Sequence, residues 1–295
     1  MMNVKANERT LPVSIEASPT QILKNEAIGE LFPSGSWVYL TDVGTAPLET
    51  MVAAAKKLKS HGFEAVPHIP ARRITSNVDL EHRISALVNE AGVSNVLVIA
   101  GEAEHQQGPY ASTMDILQSD VLSANGIARI GVAGHPEGNT SISDEMILSS
   151  LRAKSDFAQN TDAQMRIVTQ FGFDTASFLS WADSLPGLGI DLPVHLGMAG
   201  PAKMTTLIKY AAICGVGPSL RFLRKRMSAL SALALGYDPE PALADLEAHL
   251  AANPASLIQA AHVFPFGGLK KSANWLDERG SWNIKKSLYL DANVI

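Results

Sequence analysis

Short apolar runs rich in β-branched residues alternate along the chain with longer stretches in which apolar residues recur every three or four positions. The runs are Val13–Ala17, Trp37–Thr41, Phe63–Ile69, Asn95–Ala100, Arg129–Gly134, Met165–Gln170, Pro193–Met198 and His262–Phe266, eight in all. Unbroken apolar stretches such as Val96-Leu97-Val98-Ile99 predict parallel strands covered on both faces. The helical pattern falls on Thr20–Leu31, Leu48–His61, Leu80–Ala91, Ala111–Asn125, Asp144–Phe157, Thr175–Leu185 and Ala202–Ile213. Local chemistry marks several starts. Pro47 suits a first helical turn, with Thr45 before it as a cap, and Asp174 reads as an N-cap. Ser143 with Asp144 and Glu145 puts negative charge at the positive end of a helix dipole.

Strands alternating with helices build a parallel sheet with crossovers, which either a closed barrel or an open doubly wound sheet satisfies. Eight strands in 295 residues favour the barrel, whose usual length is roughly 250 residues. The expected fold class is therefore α/β, a (β/α)8 TIM barrel forming a single domain over residues 1–295. Two extra helical stretches, Ser219–Leu235 and Pro241–Ala252, fall between strands seven and eight, parted by the turn Gly236-Tyr237-Asp238-Pro239.

Composition narrows the functional classes. Hydrophobic residues make up 46% and charged residues 18%, enough for a large core. A net charge of −5 gives no general attraction for nucleic acid, and no apolar run approaches the roughly 20 residues of a membrane helix. One cysteine, Cys214, excludes an intramolecular disulfide, and the polar start of the chain lacks a signal-like core. The expectation is a soluble cytoplasmic protein. Motifs for zinc, for a P-loop, for a Rossmann dinucleotide site and for a serine nucleophile elbow are all missing.

Barrels of this kind carry their chemistry at the C-terminal ends of the strands. The polar residues expected there are Glu16, Thr41 with Asp42, His68 with Arg72 and Arg73, Glu102, His135 with Glu137, and Thr169 with Gln170 followed by Phe173. Each alone is ordinary. Carboxylates, histidines, an amide and a pair of arginines converging on one mouth form a candidate site.

Several of these motifs resemble the methylenetetrahydrofolate reductase family in order and spacing, over residues 13 to about 220. They are Ser14-Ile15-Glu16, Pro67-His68, Ala133-Gly134-His135-Pro136-Glu137, Thr169-Gln170-Phe171-Gly172-Phe173-Asp174, and Gly197 opening a glycine-led segment. The resemblance implies hydride transfer between NAD(P)H and a folate, interconverting 5,10-methylenetetrahydrofolate and 5-methyltetrahydrofolate, with FAD as the usual intermediary. It implies that Glu16 protonates the folate as the methylene bridge opens, that Glu102 lies by the pterin and cofactor, and that Gln170 hydrogen-bonds the pterin. Phe173 would line the pocket or belong to the core. Opening a bridge between two nitrogens requires a proton on one of them, which a strand-end carboxyl can supply.

The chain departs from the family where flavin would be held. The family's Arg-Gly-Asp after strand four is Ala100-Gly101-Glu102 here, and the tyrosine before Pro136 is His135. A nearby histidine is replaced by Asn139, and two polar helix positions hold Ile147 and Ser150, whereas Lys154 retains a family lysine. Two versions follow. FAD binds through altered contacts, or the nicotinamide delivers its hydride to the folate directly, which the substitutions favour. His68, His135, Lys154, Arg72 and Arg73 are then the candidate cofactor contacts, the two arginines for a diphosphate or a folate glutamate tail. A pterin-dependent methyltransferase and a non-catalytic folate-binding protein are the competing classes.

Overall fold

The computed structural model describes residues 11–44, 46–101, 106–140, 142–226 and 236–282, without the side chains of 225 and 226. Eight parallel strands follow one another around a closed barrel. They are β1 (Val13–Ala17), β2 (Trp37–Leu40), β3 (Glu64–Pro70), β4 (Asn95–Ile99), β5 (Arg129–Gly134), β6 (Gln164–Thr169), β7 (Val194–Ala199) and β8 (Ile258–Phe264). Pairing of β1 with β8 closes the ring, in the register Val13 to Ala261, Ser14 to His262 and Ile15 to Val263.

Strand side chains alternate between two environments. One set, including Ile15, Val38, Leu40, Ala65, Val96, Val98 and Ile167, joins the large core between the strands and the outer helices. The other set points into the barrel, where Trp37, Tyr39, Val66, Leu97 and Val168 make a separate apolar cluster. Polar groups share that interior. Arg166 is buried and donates from Nε and Nη2 to the Tyr39 hydroxyl, at 3.0 and 2.9 Å, and from Nη2 to Asn95 Oδ1 at 2.8 Å. Gly131 makes room for it, since a Cβ there would lie 3.0 Å from Leu97 and 3.3 Å from Arg166 Nη2.

The helices are α1 (Pro19–Lys24), α2 (Leu48–Ser60), α3 (Asn77–Ala91), α4 (Thr113–Leu117), α5 (Val121–Ala124), α6 (Asp144–Ala158), α7 (Thr175–Ser184), α8 (Met204–Ile213), α9 (Gly217–Arg226), α10 (Glu240–Ala252) and α11 (Leu269–Glu278). Side-chain caps fix several starts: Ser18 with Gln21 as a reciprocal capping box, Ser76 on Asp79 N, Ser143 on Met146 N, and Asp174 on Ser177 N. Among the described residues no helix is long and apolar enough to cross a membrane.

The barrel and seven of the strands agree with the sequence reading within a residue or so at each end. Strand eight begins four residues earlier than expected, at Ile258. Its first half, Ile258-Gln259-Ala260-Ala261, mixes a polar residue with two small ones and so lacks a strand's usual bulk, and Pro265 stops it two residues before the expected end. The stretch Ala111–Asn125 is not one helix: Asp120 takes φ 59°, which breaks it into α4 and α5. The stretch Thr20–Leu31 stops at Lys24, then resumes as a 3-10 turn at Ile28–Glu30. Pro47 is the residue before α2, not within its first turn; Thr45 lies outside the described residues. Residues 227–235 of the expected insertion also lie outside them, whereas α9 and α10 bear out its helical character.

The expected pattern assigned no helix after strand eight, yet α11 follows it and is tied back by Arg279. This guanidinium, 4% exposed, meets Glu240 at 2.8 Å and Glu247 at 3.0 Å on α10. Arg279→Met keeps the volume and leaves two carboxylates facing an apolar chain. It should lower the unfolding free energy by roughly 2 kcal/mol, measured by urea denaturation. An unchanged midpoint would show that the bridge contributes nothing.

Candidate active site

Closure of the barrel brings Glu16 on β1 beside His262 on β8. Glu16 Oε2 lies 3.7 Å from His262 Nε2, an electrostatic contact too long for a hydrogen bond. The other face of the imidazole is held by Ser14, whose Oγ is 3.0 Å from Nδ1 and 3.4 Å from the Ala261 carbonyl oxygen. His262 packs against Tyr39 at 4.4 Å between ring centroids and against Phe264 at 4.9 Å. His68, on β3, completes the group. Its Nε2 is shut from solvent with no hydrogen-bond partner among the described residues. Burial lowers its pKa to about 4 against the opposing pull of Glu16, so the ring is neutral at neutral pH. The Glu16 carboxyl, 14% exposed, thus lies 3.7 Å from the His262 imidazole and acts electrostatically on that of His68.

Beyond β2 and β3 the two neighbouring arginines part ways. Arg73 Nη1 donates to the Asp42 carbonyl at 2.9 Å and to its Oδ1 at 3.3 Å. Asp42 also accepts from Gly44 N, so this pair braces the loop after β2. Arg72 donates only from Nε, to the Ala111 carbonyl at 3.1 Å. Its two Nη groups have no partner among the described residues and are the ones available to a ligand.

On the opposite side, Thr169 Oγ1 accepts from Gly197 N at 2.7 Å and donates to the Gln170 carbonyl at 2.9 Å. Any side chain at 197 would collide with this corner, because a Cβ there would lie 2.4 Å from Thr169 O and 2.7 Å from Gln170 O. Gln170 follows β6 with its Oε1 accepting from Phe171 N at 3.1 Å, which leaves its amide NH2 without a protein partner among the described residues. Phe173 is buried in a smaller apolar cluster with Phe171, Ala199 and Met204, its ring 5.2 Å from that of Tyr237. Its amide donates to Ser219 Oγ.

Lys154 on α6 is buried, and its Nζ reaches only the Ala133 carbonyl, at 3.4 Å. Burial lowers its pKa to about 8. His135, at the end of β5, is held near 4 by burial and then by Lys154. At both groups burial makes positive charge costly unless an anion is near.

Glu16 and His68 are near enough for the carboxylate to act on the imidazole, Gln170 and His135 follow the neighbouring strands β6 and β5, and Lys154 reaches the β5 backbone from α6. Arg73 is already engaged, and Phe173 is packed. Glu102 lies outside the described residues. The sequence analysis named Ser14 only within the Ser14-Ile15-Glu16 motif and gave no role to it, to His262 or to Glu137. Ser14 was visible as the partner of Glu16 two residues on, inward-facing at a period of two. His262 could be found only by knowing the β1–β8 register. Glu137 accepts from Ser219 N at 2.9 Å and from Ser219 Oγ at 2.7 Å, which pins the N-terminus of α9 to the loop after β5. Burial raises the Glu137 pKa despite these bonds. No group of three or more potential metal ligands occurs among the described residues.

Against known proteins, a family model described as methylenetetrahydrofolate reductase matches residues 26–220. A 5,10-methylenetetrahydrofolate reductase from Pectobacterium carotovorum subsp. carotovorum is 28% identical over 159 residues, covering 52% of this chain and 50% of that protein. Methylenetetrahydrofolate reductase 1 of Schizosaccharomyces pombe is 30% identical over 137 residues, covering 43% of this chain and 22% of the yeast protein. The match thus spans half or less of these curated relatives. Glu16 and His262 fall outside residues 26–220 and enter the site on geometry.

Two outcomes test this geometry. Between about pH 8 and 10.5 the unfolded chain keeps a Lys154 proton that the folded chain has lost, so stability rises with pH there. Below about pH 8 the whole penalty, on the order of 3 kcal/mol, is present. Lys154→Met should therefore stabilise the ligand-free protein at pH 7, with most of the gain gone by about pH 10; urea unfolding at both values reads it. Glu137→Gln should turn an acceptor into a donor facing Ser219, and raise amide exchange across residues 217–226 by roughly 10-fold or more. Unchanged exchange would mean that α9 is held by packing alone.

Proposed function

The chain belongs to the methylenetetrahydrofolate reductase family, and from that premise we propose that it interconverts 5,10-methylenetetrahydrofolate and 5-methyltetrahydrofolate, with NAD(P)H and NAD(P)+ as hydride donor and acceptor. The observation that supports this reading is the strand-end carboxyl of Glu16, 3.7 Å from His262 and in electrostatic contact with His68. In the reducing direction one methylene–nitrogen bond breaks, that nitrogen takes a proton, and the methylene carbon takes a hydride. Glu16 supplies the proton and the reduced nicotinamide the hydride.

The neighbours of Glu16 suit a group that must hold a proton and then give it up. Neutral His68 places no positive charge beside it. Ser14 gives His262 two arrangements. With the Ser14 hydroxyl donating to Ala261 O, Nδ1–H donates to Ser14 and the bare Nε2 faces a protonated Glu16. With the hydroxyl donating to Nδ1, Nε2–H faces the carboxylate. The Ser14 hydroxyl, which can donate to the Ala261 carbonyl or to Nδ1, accommodates either neutral tautomer of His262 without moving a heavy atom. Ser14 and His262 are positioning residues on this account. Gln170 hydrogen-bonds the pterin through its free amide, and Glu102 accepts from the amino-pyrimidine edge.

Among the described residues the donor set does not suit a flavin. Around Lys154 the described residues offer one ammonium and the neutral His135 imidazole; Ile147 is buried and apolar, and Ala100 has no donor side chain. No step is routed through a flavin. The Lys154 ammonium and the free Arg72 fork are the cations left for a nicotinamide diphosphate or a folate tail, with Arg73 bracing the loop.

Glu16→Gln should cut NAD(P)H oxidation with methylenetetrahydrofolate by about 10²–10⁴-fold while folate binding, read by fluorescence quenching, survives. Normal turnover in this variant would remove Glu16 from the chemistry. Ser14→Ala should shift the pH profile of kcat more than it changes KM; an unshifted profile would leave Ser14 a packing residue.

A further inference from the structure

The opposite end of the barrel holds a second cavity, of about 750 Å³, at the N-terminal ends of the strands. Its walls include Trp37, Arg129, Arg166, His195 and Gln259. Two arginines line it and, among the described residues, no aspartate or glutamate does, in a chain whose net charge is −5. Its size is that of a small-molecule site, roughly 300–1,000 Å³.

Arg166 is the unusual group. It is 4% exposed, yet its hydrogen-bond acceptors, Tyr39 and Asn95, carry no charge. Burial raises the Tyr39 pKa, so the phenol stays protonated. No carboxylate pairs with this guanidinium among the described residues, and its Nη1 makes no hydrogen bond among them. The guanidinium lies over the Trp37 ring at 4.7 Å, and that of Arg129 lies over the same ring at 5.7 Å. Arg129 shares Glu64 with Lys59, at 3.2 and 3.4 Å, and its buried Nε has no partner among the described residues; the same holds for His195 Nδ1. Buried charge is ordinarily paired. Here the cavity lining carries two cations and two buried polar atoms without partners among the described residues.

Gln259 sits at the break in the β7–β8 register, where Val194 pairs with Ile258 and His195 with Ala260. It is the strand residue left without an opposite number, and its exposed side chain enters the cavity.

We propose that this cavity binds a small oxyanion, a carboxylate or a phosphate, on the Arg166 guanidinium with Arg129 beside it. Planar guanidinium forks match both groups. Most barrels use this end for stability rather than chemistry, so the ligand acts by favouring the folded chain, whatever the reaction at the mouth.

The test uses the full chain, with inorganic phosphate and citrate as separate probes and sodium chloride at matched ionic strength as control. Phosphate or citrate should raise Tm saturably and give a measurable Kd by titration calorimetry; whichever binds tighter identifies the class. Arg166→Met should weaken that Kd at least tenfold. Because Arg166 is buried and its loss alone can unfold the chain, Gln259→Glu serves as the second variant: it adds a negative charge on an exposed side chain in the same lining, so it should weaken binding by a similar factor while Tm in chloride is no lower than that of the wild type. A wild-type response no larger than that to chloride overturns the proposal. So does a Gln259→Glu protein that binds either probe as tightly as the wild type, since the anion would then sit elsewhere.

Discussion

Closure of the barrel between its first and last strands is the constraint on which the site depends. Residues nearly 250 positions apart become neighbours when Ser14 pairs with His262. That single register sets the imidazole between the serine hydroxyl and the Glu16 carboxyl. A slip of one residue would turn Glu16 out into the apolar sheath and bring Ile15 or Ala17 to the axis. The sheath itself resists such a slip, because Ile15, Val38, Val96 and Ile167 are all buried in it. Packing on the outside of the strands therefore fixes chemistry on the inside.

The interior carries polar groups at two levels, with opposite electrostatic characters. Near the mouth, Glu16 stands with two histidines, one of them neutral by burial. Towards the other end, Arg166 stands with a phenol, an amide and His195, whose pKa burial pushes well down. Tyr39 spans the two, touching His262 with its ring and Arg166 with its hydroxyl. The mouth thus carries a carboxyl among imidazoles, whereas the base carries a guanidinium among uncharged groups.

Much of this architecture was legible in the chain. Uninterrupted apolar runs separated by helical periodicity give parallel strands, and their number gives the barrel. Strand-end positions for Glu16, His68, His135 and Gln170 followed from the same alternation. What escaped depends on long-range geometry or on weak local signals. The start of β8 was hidden by Gln259 and two alanines, and with it the position of His262 relative to β1. The engagement of Arg73 by Asp42 and of Glu137 by Ser219 required the loops to be folded. Phe173 carries no sequence mark to separate a core ring from a pocket wall, and only its neighbours Phe171 and Tyr237 assign it to a cluster.

The central claim is that this barrel moves a hydride between a nicotinamide and a folate with its own carboxyl as acid and without flavin. The most direct measurement incubates protein purified without added flavin, and free of flavin bands in its visible spectrum, with 4,4-dideuterated NADH or NADPH and methylenetetrahydrofolate. Mass spectrometry then follows the product methyl group. The account predicts turnover with one deuterium retained per methyl formed and no loss of label to water. Turnover only after FAD is added, with label washed out into solvent, would contradict it.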